Sequence, residues 1–106
     1  MSSMKDEKKR VQEAIDYAKS GKTTCIVSNG DVNVFAMASE IVEAIEKQKL
    51  WNTIEVISIA GVTALLATAS KIGAPISQDF AVISLSDKHT DIKTINKRVK
   101  NSLDAD

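Results

Sequence analysis

Three short apolar runs, Thr23 to Ser28, Ile54 to Ile59 and Phe80 to Leu85, each lead into a stretch whose apolar residues recur at helical spacing. Alternation of this kind predicts strands and helices in turn. In the first unit, TTCIVSNGDVNVFAM, the apolar residues are nearly continuous, which suits a parallel strand covered on both faces. Ser28-Asn29-Gly30-Asp31 then turns the chain. Gly30 can take backbone angles that clash for other residues, and Asp31 or Asn33 can cap the helix that follows. Ile54 to Ser70 repeats the plan, with Ala60-Gly61 at its turn. Ligands of open parallel sheets bind beyond the carboxyl ends of the strands. The two glycine turns therefore read as two walls of one site, or as its remains.

Lys5 to Ser20 carries Val11, Ala14, Ile15 and Ala18 at three- and four-residue spacings, an amphipathic helix closed by Gly21. Val32 to Gln48 predicts a helix with Phe35, Ala38, Ile41, Val42 and Ile45 on one stripe. Trp51 is expected to cover the bottom of the core. The small-residue helix after Gly61 is expected to be heavily buried and to stop at Gly73-Ala74-Pro75. Thr90 or Asp91 caps a last helix marked by Ile92, Ile95, Val99 and Leu103, with fraying from Leu103 onward. Met1-Ser2-Ser3 is expected to be frayed or exogenous. The order α-β-α-β-α-β-α implies an α/β fold. It would be a small three-layer parallel sheet of about three strands, helices on both faces, in a single domain over residues 1–106. Both edges of so small a sheet would be bare, which points to self-association.

The 14 basic and 14 acidic side chains balance. This argues against nucleic acid or an anionic membrane as partner. No apolar run approaches a membrane span, and the charged N-terminus does not resemble a signal peptide. The lone Cys25 is read as a small buried hydrophobe rather than a reactive thiol, and a reducing cytoplasm is expected. One His and one Cys, far apart, make no metal set. His89 reads as a solvated loop residue. The phosphate-loop and dinucleotide glycine patterns are both absent.

Ser28-Asn29-Gly30-Asp31-Val32-Asn33-Val34-Phe35-Ala36-Met37-Ala38 resembles the Ser-Ser-Gly-Asp-Pro-Gly-Val-Tyr-Gly-Met-Ala segment of the tetrapyrrole (corrin/porphyrin) methylases. Ile54 to Ala64 resembles the family's next segment, a strand followed by Pro-Gly-Val-Thr-Ala. Gly73-Ala74-Pro75 and Asp79 to Asp87 are most similar to the branch that methylates carbon 17 of precorrin-3B. Val32-Asn33 stands where the family has Pro-Gly, and Ala60 where it has Pro.

The resemblance implies part of a methylase-like fold: the end of the first domain and the start of the second. It also implies S-adenosyl-L-methionine as cofactor, no metal, and a tetrapyrrole substrate of cobalamin biosynthesis. Cofactor contact is carried over to Gly30, Asp31, Thr63 and Ala64, and to Val34 and Met37; no catalytic residue is assigned. Such a chain is expected to be incomplete for catalysis alone and to act as a homodimer or with a complementing polypeptide. The alternative is a non-catalytic, self-associating α/β module, or an excised fragment, that has lost the site.

Overall fold

The computed structural model describes residues 4–105, so the expectation for Met1-Ser2-Ser3 lies outside the described residues. Among the described residues there are four helices: α1 (Met4–Lys19), α2 (Ala38–Lys47), α3 (Ala64–Lys71) and α4 (Ile92–Asp104). The chain divides into two compact units, one ending at Thr68 and the other beginning at Ala69.

In the first unit, α1 lies within one residue of its expected span. Val11 and Ile15 are buried, as their spacing predicts. Asp6 and Glu7 in the first turn and Lys19 in the last complement the helix dipole. Gly21, at φ 90°, ends the helix in a Schellman motif. The Lys22 N–H donates to the Tyr17 carbonyl (3.2 Å) and the Gly21 N–H to the Ala18 carbonyl (3.0 Å).

α2 begins at Ala38, six residues later than the apolar spacing suggests. The Asp31 carboxylate is engaged elsewhere and does not cap this helix. Residues 32–37 form turns instead, with the Val34 N–H on the Asp31 carbonyl and the Ala38 N–H on the Val32 carbonyl. Phe35 sits at φ 48°, a left-handed angle that no α-helix continues through. Met37 becomes the N-cap, with no side-chain hydrogen bond. At the other end Lys49 takes φ 54° and the Leu50 N–H reaches back to the Ile45 carbonyl (3.0 Å).

Val11, Ile15, Ile45 and Leu50 form the core between α1 and α2, with Met37, Ile41, Ala44 and Ile54 packed against it. Fully burying each such side chain stabilises by about 1.5–3 kcal/mol. The Gln48 side-chain amide donates to Gln12 across the two helices (2.9 Å). Leu50, not Trp51, closes the core. Trp51 is 47% exposed, and its indole N–H donates to Glu46.

The parallel sheet is not present. Among the described residues no segment is a strand. The runs Thr23 to Ser28, Ile54 to Ile59 and Phe80 to Leu85 carry no regular structure, and there are no layers with helices on both faces. The cause is that a strand exists only through its ladder partner. Apolar β-branched composition describes a residue's fitness for a sheet but not the neighbour it needs. Side chains expected inside therefore face solvent, among them Val27 at 89% and Ile59 at 76% exposed. Cys25, placed in the first of these runs, is likewise exposed rather than buried.

α3 is also less buried than expected. Of its residues only Ala69 is buried, while Leu66 is 54% exposed. Without a sheet most of its apolar surface stays open to solvent. Gly73, at φ 93°, ends it, and the Ala74 N–H returns to the Ala69 carbonyl.

In the second unit Asp91 caps α4. Its carboxylate accepts the Thr94 N–H at 2.7 Å. Ile95 is buried, Val99 is partly so, and Ile92 and Leu103 face solvent, so half of the expected stripe is covered.

Candidate functional site

The first unit brings the two glycine turns together. A Cβ built on Gly61 would overlap the Gly30 carbonyl oxygen and lie 3.2 Å from the Gly30 carbonyl carbon. Gly30 takes φ 69°, and a Cβ there would meet the Val62 carbonyl at 3.6 Å and the Thr63 Cα at 3.7 Å. Glycine at 61 permits this backbone-on-backbone approach, and glycine at 30 permits the positive φ of the first turn.

Asp31 ties the turns together. One carboxylate oxygen accepts the Asn33 N–H at 2.8 Å, an Asx turn within the first loop. The other accepts the Gly61 N–H at 2.9 Å from thirty residues along the chain. These backbone donors, Asn33 first and Gly61 second, hold the Asp31 carboxyl below the usual carboxylate range. Hydrogen bonds to the charged form favour ionisation.

Thr63 stands at the start of α3. Its hydroxyl accepts the Leu65 N–H at a long 3.4 Å, and its carbonyl accepts the Ala67 N–H. Ala64 is the first residue of α3, next to N–H groups that the helix itself leaves unsatisfied. Val34 is partly buried, and its N–H is taken up by the Asp31 carbonyl. Met37 lies elsewhere: its side chain packs on the core of α1 and α2.

Of the six residues suggested by resemblance, Gly30, Asp31 and Thr63 thus lie at one junction. Ala64 follows Thr63 directly, the Val34 N–H is hydrogen-bonded to the Asp31 carbonyl, and Met37 packs its side chain on the core of α1 and α2. Sequence reasoning passes over Ser28. Its Oγ is buried and has no hydrogen-bond partner, one turn residue before Asn29-Gly30. A buried hydroxyl left alone carries a desolvation cost. The only sequence signal for it is a serine at the polar end of an apolar run.

No group of His, Cys, Asp and Glu among the described residues could hold a metal ion. No helix among them is long and apolar enough to cross a membrane. The arrangement comprises two glycines in backbone contact, one carboxylate held by two backbone N–H groups and the first turn of α3.

Residues 2–106 match the family model of the tetrapyrrole (corrin/porphyrin) methylases. The chain is 42% identical over 105 residues to a precorrin-3B C(17)-methyltransferase from a Sinorhizobium species, covering 98% of this chain and 41% of that protein. It is also 42% identical over 100 residues to a probable cobalt-factor III C(17)-methyltransferase from Salmonella typhimurium, covering 94% and 41%. The crystal structure of the methyltransferase CobJ matches it with a TM-score of 0.85 at 37% sequence identity, over 94% of this chain and 42% of that one. The chain thus spans about two fifths of the length of the relatives it matches. Glycine turns that meet where the family's two motifs lie, and a match that runs through nearly every residue, lead to one assignment: the chain belongs to the tetrapyrrole (corrin/porphyrin) methylase family.

Proposed function

We propose that this chain is the donor-binding part of an S-adenosylmethionine-dependent methyltransferase of cobalamin biosynthesis, acting on a precorrin-type tetrapyrrole. The observation that carries the reading is the meeting of Gly30-Asp31 with Gly61 to Thr63. These are two segments whose family counterparts contact the cofactor by resemblance.

The residues fit such a ligand. The two glycine turns abut through their backbones without a side chain between them, and the Ser28 hydroxyl beside the first turn is buried without a hydrogen-bond partner. Gly30, Val34, Thr63 and Ala64 would hold the donor, with Asp31 fixing the two turns that carry them, and Met37 would contribute through its backbone. S-adenosylmethionine supplies an electrophilic methyl carbon when bound. The chain's own residues would bind and orient, since methyl transfer to a ring carbon is chiefly a matter of alignment. Catalysis is proposed to need more than this chain, from a second copy or a complementing polypeptide, in the cytoplasm.

A second reading, a non-catalytic association module, draws on the exposure of Val27, Ile57, Ile59 and Val62. Exposed apolar surface of this extent marks interaction sites in other proteins. Calorimetric titration with S-adenosylhomocysteine separates the two. The donor-binding reading expects micromolar affinity, lost on Asp31→Ala. No heat at millimolar ligand overturns it and leaves the module.

A further inference from the structure

We infer that Asp31 is a positioning residue whose carboxylate latches the first glycine turn to the second, so that residues 30–34 and 61–64 meet a ligand as one unit. The inference rests on the donor-binding reading and adds how its site is assembled. Each carboxylate oxygen has its own backbone donor, one on the near turn and one on the far turn. Both of these bonds go to the protein's own main chain, and through them Asp31 places Gly61 and Thr63 for a ligand.

Glycine at position 61 lets the far turn come close enough for this bond, because a side chain there would strike the Gly30 carbonyl. Apart from that close approach, nothing in the Asp31 hydrogen bonds relies on a helix or a strand. Residues 29–37 and 54–63 lie outside all four helices. The relative placement of the two turns accordingly depends on one side chain to an unusual degree.

Asp31→Asn separates the two bonds. The amide oxygen can still accept the Asn33 N–H, while the amide nitrogen faces the Gly61 N–H donor against donor. The test uses nuclear magnetic resonance of the Gly61 amide together with titration of S-adenosylhomocysteine, in the unaltered chain and in Asp31→Asn. The latch expects the Gly61 amide proton to move upfield and exchange faster in Asp31→Asn, with the Asn33 amide little changed. It further expects ligand affinity to fall tenfold or more at a urea concentration of zero, where both chains are fully folded. A Gly61 amide that does not respond overturns the latch. A responding amide with equal affinity in both chains overturns the positioning role. A responding amide in a chain that binds no ligand overturns the donor-binding reading and supports the latch as the device that joins the turns.

Discussion

Gly61 abuts Gly30 so closely that a methyl group on the one would occupy the carbonyl oxygen of the other. Gly61→Ala must therefore push the turns apart. Overpacking of this kind costs about 1–3 kcal/mol. The urea midpoint of Gly61→Ala should fall accordingly, and the Gly61-to-Asp31 hydrogen bond should be lost with it. An unchanged midpoint would mean that the turns separate without cost.

Lys49 closes α2 from the left-handed region, where glycine is at ease and a lysine is strained. Lys49→Gly should raise stability by roughly 0.5–1 kcal/mol, the relief of strain less the greater entropy of the unfolded glycine. Thermal unfolding read by circular dichroism would register a higher midpoint. A lower one would show that the lysine side chain contributes more than its backbone costs.

Ile45 and Ile57 look alike in the sequence, each an isoleucine in an apolar pattern. Ile45 is 1% exposed and Ile57 is 72% exposed. Ile45→Ala should cost about 2–5 kcal/mol through lost burial and a cavity. Ile57→Ala should change stability by no more than about 0.5 kcal/mol. Equal losses in urea unfolding would place Ile57 inside after all.

Stability should decline in acid. The Asp31 carboxyl is held low by the Asn33 and Gly61 N–H groups, and the Asp91 carboxyl by the Thr94 N–H. Both groups are more acidic folded than unfolded. Their contribution is complete above the ordinary carboxylate value of about 3.9 and is lost as pH falls through the lower, folded values. The unfolding midpoint should drop as pH falls below about 4, and the drop should be shallower in the double variant Asp31→Asn, Asp91→Asn. Parallel curves would exclude these two groups as its source.

The helices were legible where local spacing and a capping residue agreed. α1, with Val11 and Ile15 on one stripe and Gly21 past its end, needs only neighbours three to five residues away. So does Asp91 at the head of α4. The start of α2 is not legible from spacing because Asp31 has two possible uses, and a contact thirty residues distant decides between them. The sheet was the largest error. Thr23 to Ser28 has the composition of a strand, but pairing is non-local, and no partner segment among the described residues supplies a ladder. The sequence makes the two glycine turns walls of one site on the rim of a parallel sheet; the turns do meet, but among the described residues there is no sheet rim to hold them. That Asp31 would join them through its side chain, and that Ser28 would be buried without a partner, depends on three-dimensional approach that spacing alone does not encode.

The bond from Asp31 to Gly61 also has a bearing on the order of folding. Closing thirty residues of free chain costs about 3 kcal/mol in entropy. A single solvent-facing hydrogen bond does not return that much. The pairing of α1 with α2, which anchors Leu50 and Ile54, shortens the free span first. Meeting of the turns is then a late step, and alterations there should speed unfolding while leaving the refolding rate nearly untouched.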